Sequence, residues 1–144
     1  MKADRVLVPL DGSPFAELAL PKAVALLSGP RATLILLRAA TAPSRPGSDP
    51  TEAQAAVMRE AESYLEAVAA RLYEQGVARV VRSVWYSSPA KAIVEAARVR
   101  RVNVIVMSTH GRRGLGRLLG GSVAEAVLRA TRTPIMLVPA AEAA

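Results

Sequence analysis

Val104-Ile105-Val106-Met107-Ser108-Thr109-His110-Gly111 decides how the rest of the chain is read. An apolar run breaks abruptly into small polar residues and a glycine, as a buried strand does where it meets a ligand-bearing loop. After nine intervening residues, among them Arg112, Arg113 and Arg117, Gly121-Ser122 opens a helical pattern. Glycines let a backbone approach an anion closely, and the free N–H groups of a helix N-terminus point at it. The spacing predicts a phosphate cradle made of one strand end and one helix start.

Outward from this stretch, strand-like and helix-like segments alternate. Arg5–Pro9 reads as the first strand, and Ser13-Pro14 supplies a cap and a first-turn proline for a helix to about Leu27, which Pro21 should kink or split. Thr33–Ala39 is the second strand, apolar on both faces, followed by a Pro-, Ser- and Gly-rich loop over Thr41–Asp49. A long helix is expected from Pro50 to Glu74, with Val57, Ala61, Tyr64, Leu65, Val68 and Leu72 at helical spacing. Its start fits a capping box at Asp49 or at Thr51, and Gly76 suits its C-terminal stop.

Val80–Tyr86 is the third strand, Ser88-Pro89 opens a helix to about Arg100, and Val102–Met107 is the fourth strand. Ser122–Thr131 is the last helix, beginning on the capping box Ser122-Val123-Ala124-Glu125, and Pro134–Val138 is the fifth strand. This alternation predicts an α/β fold: a doubly wound, Rossmann-like, five-stranded parallel sheet with helices on both faces. Only the first and fourth strands end in site chemistry. Ligands sit where the winding order reverses, so these two should be neighbours, giving strand order 3-2-1-4-5. Residues 1–144 are expected to form one domain with its anion site at that reversal.

Composition narrows the class. Hydrophobic residues make up 51% and charged residues 22% of the 144, which suits a folded core. No apolar run reaches the roughly 18 residues of a membrane span, and with a strand starting so early no signal peptide is expected. With no cysteine, disulfides and thiolate sites are excluded, and a cytoplasmic protein is expected. The net charge is +7, and residues 91–144 carry nine Lys and Arg against three Asp and Glu. This basic half is expected to surround the phosphate site. Aromatic residues are 3%, too few for base-stacking platforms, which disfavours nucleic acid as a partner.

Asp11 reads either as a ribose acceptor or as the turn residue of Asp11-Gly12-Ser13. Gly111 and Gly121 read as the close-approach positions of the cradle. Ser122 combines a cap with a free helix end, and Met107 closes a core strand. His110, the single histidine, suits a loop-orienting hydrogen bond better than a metal site. Walker A and Gly-x-Gly-x-x-Gly patterns are absent, which disfavours P-loop hydrolysis and NAD redox chemistry.

Taken together, Val6-Leu7-Val8-Pro9-Leu10-Asp11-Gly12-Ser13, Ile105–Gly111 and Leu118-Leu119-Gly120-Gly121-Ser122-Val123-Ala124-Glu125 resemble the universal stress protein family. The resemblance runs to Thr133–Pro139. Its ATP-binding branch carries G-x-x-G-x(9)-G-(S/T), where Ser108 stands at the first glycine, Gly111 at the second, and Gly121-Ser122 at the end.

The resemblance implies one nucleotide-binding domain over residues 1–144, with adenine near Pro9, Ala39 and Met107, ribose on Asp11, and phosphates on Gly111, Gly121, Ser122 and Val123. It implies ATP with Mg²⁺ held mainly through phosphates, and a homodimer paired through the fifth strand. The function implied is a stress-response regulator with slow or no hydrolysis, acting through its dimer or a further protein partner. The alternatives are an ATP hydrolase or adenylyl-transfer enzyme, and a member that binds no nucleotide and works by protein contacts. Three positions depart from the pattern: Ser108, where positive φ would be strained; Arg38, where histidine is frequent; and Ser87, where glycine is usual.

Overall fold

The computed structural model describes residues 1–109 and 121–140. Five strands, β1 (Arg5–Leu10), β2 (Thr33–Ala40), β3 (Val80–Tyr86), β4 (Val104–Thr109) and β5 (Ile135–Pro139), form one parallel sheet in the order β3-β2-β1-β4-β5. This is the order expected from the two site-bearing strands. Alternate side chains of β1 and β2 enter opposite layers, so both faces must be covered.

Val6, Val8, Leu34 and Leu36 pack against α2 (Leu20–Leu26) and α3 (Pro50–Glu74) through Ala23, Leu26, Leu65, Val68 and Leu72. Leu7, Ile35, Leu37 and Ile105 pack against α4 (Pro89–Val99) and α5 (Gly121–Ala130) through Ile93, Ala96, Ala97, Ala124 and Val127. Among the described residues no helix is long and apolar enough to cross a membrane.

Pro21 splits the first helix, as its missing N–H requires. A four-residue α1 (Pro14–Glu17) is capped by Ser13, whose Oγ accepts from the Ala16 N–H at 3.2 Å, and α2 restarts with Pro21 in its first turn. Asp49, not Thr51, caps α3: its carboxylate accepts from the Thr51 N–H at 2.9 Å. The same helix stops at Gly76, whose φ of +97° favours glycine, and Val77 N–H returns to the Leu72 carbonyl at 3.0 Å.

Several boundaries shift by a residue or two from the sequence reading, and two of the shifts bear on the site. β4 runs on through Ser108 and Thr109 because these small polar residues pair with Val138 and Pro139 of β5. α5 starts at Gly121, which puts Ser122 inside the first turn rather than at the cap. Glu125 pairs with Arg129 one turn on instead of closing a capping box.

Candidate nucleotide cleft

β1 and β2 keep register over six positions, from Arg5–Thr33 to Leu10–Arg38. The register of β1 with β4 covers only Val6–Val104 and Leu7–Ile105. Past those residues the two strands diverge, and the gap between their C-terminal ends opens a cleft of about 600 Å³. That volume suits a small organic ligand.

Its floor is apolar: Pro9, Leu37, Ala39 and Met107 from three strands. Pro89 and Ile93 of α4 and Val123 and Ala124 of α5 form one wall, and Phe15 and Ala16 of α1 the other. Asp11, Ser13, Ser108 and Ser122 set polar atoms around the mouth. The start of α5 faces this space, so its first N–H groups form the natural anion end.

Seven of the nine residues singled out from sequence line this one cleft: Pro9, Asp11, Ala39, Met107, Ser108, Ser122 and Val123. Gly121 is the first residue of α5. Gly111 lies outside the described residues, as do His110, Arg112, Arg113 and Arg117. Sequence reading missed Phe15, Ala16, Pro89 and Ile93. The last two were reachable, because Ser88-Pro89 starts a helix at the same sheet edge where the first and fourth strands end.

Asp11 is a turn residue in this structure. Its Oδ1 accepts from the Ser13 N–H at 2.9 Å and from the Ser13 hydroxyl at 2.5 Å. The other oxygen has no partner among the described residues, and the side chain is exposed at the cleft mouth. The turn role therefore leaves one carboxylate oxygen to face a ligand.

Ser108 is not strained. It sits in extended β4, and Arg101 is the one non-glycine with positive φ among the described residues. Its hydroxyl donates to the Ala16 carbonyl at 3.2 Å and ties α1 to the strand end.

Arg38 turns away from the cleft floor, since it alternates with Ala39 across the sheet. Its guanidinium lies 5.0 Å from the Tyr64 ring centre and pairs with Glu60 at 3.0 Å. It also packs beneath Gly12, where an added Cβ would stand 3.1 Å from Nη1, a buried nitrogen without a hydrogen-bond partner among the described residues.

Close by, Glu17 of α1 accepts from the Tyr64 hydroxyl at 2.6 Å and from Arg71 at 2.7 Å. Burial by itself would raise the Glu17 carboxyl, but these two bonds and the Arg71 charge outweigh it and hold it below its ordinary range. Burial, with the bond to Glu17, pushes the Tyr64 hydroxyl up. This clamp fixes α1, which has no fully buried residue of its own.

Part of the basic half lies away from the cleft, while Arg112, Arg113 and Arg117, nearest the cradle in sequence, lie outside the described residues. Parallel strands put the residues that precede β4 and β5 at the opposite sheet edge, and α4 and α5 end there too. Arg98, Arg101, Arg129 and Arg132 therefore lie a full strand length, roughly 20 Å, from the cleft mouth.

The family model described as the universal stress protein family matches residues 2–139. A universal stress protein of Mycobacterium tuberculosis, Rv2005c, is 35% identical over 136 residues, covering 92% of this chain but 44% of its own length. The chain thus spans less than half of that relative. A universal stress protein family structure from Burkholderia pseudomallei superposes with a TM-score of 0.75 at 31% identity, covering 95% of this chain and 96% of that one. A family structure from Arabidopsis thaliana, described with AMP bound, shares the fold at a TM-score of 0.65 and 17% identity, covering 94% and 90%. With sheet order, the cleft between β1 and β4, and a match over nearly its whole length in agreement, the chain belongs to the universal stress protein family.

Proposed function

We propose that the cleft binds an adenine nucleotide, ATP in particular, and that the protein acts as a nucleotide-responsive regulator. The observation that carries this reading is the convergence of residues from separate segments on one apolar slot with a helix start at its end. Such a slot buries a flat base, while the helix N-terminus takes the phosphates. On this reading the base lies over Pro9, Ala39 and Met107, the ribose reaches Asp11, and the phosphates meet Ser108, Gly111, Gly121, Ser122 and Val123. The AMP-bound relative of the same fold is consistent with this choice of ligand.

Among the described residues, Asp11 is the one carboxylate lining the cleft, and no three His, Asp or Glu side chains of those residues converge there as a metal cage. Magnesium would therefore be carried by the phosphates and water, and its chemistry would be charge neutralisation. Hydrolysis is slow or absent on this reading, because Asp11, the one carboxylate among the described lining residues, holds the Ser13 turn with one oxygen and the ribose with the other, leaving neither to activate water.

The dimer belongs to the same proposal. β5 pairs with β4 on one side, and Ile135, Met136 and Leu137 are half-buried between Pro134 and Pro139 at the sheet edge. An edge of this kind invites pairing with a second copy. Calorimetry with ATP, and mass spectrometry of ligand released from freshly purified protein, test the central claim. Saturable one-site binding with adenine nucleotide in the released fraction is expected. Absence of binding by the folded protein would overturn it.

A further inference from the structure

All five strands of the sheet are entered through an exposed arginine. In sheet order these are Arg79 before β3, Arg31 before β2, Arg5 at the start of β1, Arg101 before β4 and Arg132 before β5. Neighbouring strands lie about 4.8 Å apart, so the five form a row about 19 Å long across the edge opposite the cleft. None of the five has an ion-pair partner among the described residues. Of the carboxylates close to them in the chain, Asp4 accepts from the Ser28 hydroxyl, Glu95 pairs with Arg98, Glu125 pairs with Arg129, and Glu74 precedes Arg79.

Helix C-termini also end at this edge, and cations there offset their carbonyl ends. Arg71, Arg98 and Arg129, each in a last turn and each paired with a glutamate, already stand in that place. The row is additional to them.

Arg101 shows that its arginine is not simply what the backbone prefers. It closes α4 with φ +52°, its N–H reaching the Arg98 carbonyl and the Val102 N–H the Ala97 carbonyl. Gly76 does the same at the end of α3 without strain. An arginine in the left-handed conformation persists where glycine would relax it.

We propose that this edge binds the phosphate backbone of a nucleic-acid duplex, without regard to base sequence. Arginine forks match phosphate oxygens, and a duplex presents one charge per about 1.7 Å of axis, enough to engage every member of the row. Met1, Tyr73, Val99 and Leu128 are exposed on segments that run to this edge, one on each of four segments, while an arginine recurs at every strand, so the feature common to the whole row is charge. The scarcity of aromatic residues, which disfavours base stacking, does not bear on backbone contacts. The proposal is independent of what the cleft binds.

Fluorescence anisotropy with a labelled mixed-sequence DNA duplex over a salt series tests it. Five phosphate contacts predict a slope of log affinity against log salt of about −4.5. Arg31→Gln with Arg79→Gln should make the slope shallower by about two and weaken low-salt binding about tenfold. Arg45→Gln with Arg59→Gln removes equal charge away from the edge and should leave affinity within about twofold. Arg101→Gly should weaken binding while leaving the melting temperature the same or higher, which separates the contact from folding. The proposal is overturned if the duplex does not bind at low salt, or if the control pair weakens it as much as the row pair. Binding to phosphatidylserine vesicles with no binding to the duplex would overturn it in favour of a membrane surface.

Discussion

Replacing Asp11 by asparagine separates its two roles. The turn needs one acceptor oxygen for the Ser13 N–H at 2.9 Å and the Ser13 hydroxyl at 2.5 Å. The asparagine carbonyl oxygen supplies that acceptor, so stability should change by less than about 1 kcal/mol. The second oxygen, without a partner among the described residues, becomes an amide that donates instead of accepting and carries no charge. If a ribose hydroxyl donates to that oxygen, the loss is one charge-assisted hydrogen bond, about 1–2 kcal/mol, or roughly five- to thirtyfold in affinity. Calorimetry with ATP and with dideoxy-ATP, which lacks both hydroxyls, reads the difference, and thermal melting reads the turn. The variant should lose affinity for ATP and little for dideoxy-ATP. Equal losses for the two ligands, or a large fall in melting temperature with unchanged binding, would refute the ribose role.

Gly12→Ala combines a φ of +90° with a Cβ only 3.1 Å from a guanidinium that Glu60 and Tyr64 hold in place, so it should cost about 1–2 kcal/mol. A melting temperature equal to that of the parent protein would refute this. Glu17→Gln should destabilise the protein by about 1 kcal/mol at neutral pH, a figure kept small because Arg71 is half exposed. The Glu17 carboxyl is lowered in the fold, so its contribution is present above its unfolded value of 4.5 and lost as pH falls below it. Denaturant melts should therefore show the gap between parent and variant closing on acidification; a gap constant with pH would be wrong for a charged clamp. Met136→Glu should turn the proposed β5 dimer into monomers by light scattering, and a parent protein that is already monomeric at micromolar concentration would remove that dimer.

The sequence alone determined the order and type of the elements, because hydrophobic periodicity and punctuation by proline and glycine are local properties. Pro21 divides a helix by its missing N–H, Gly76 ends one through its left-handed backbone, and the apolar run of β2 announces a strand covered on both faces. Sheet order followed from one further step, the coincidence of site residues at the ends of β1 and β4.

Tertiary structure alone decided what depends on residues far apart in the chain. Ser108 stays extended because β5 pairs with it, and Glu17 sits low in pKa because Tyr64 and Arg71 of another helix reach it. Arg98, Arg101, Arg129 and Arg132 lie at the far edge because each helix carries the chain back along the sheet. Arg5, Arg31, Arg79, Arg101 and Arg132 form no pattern along the chain. They become a row only when five parallel strands bring their starting points to one edge.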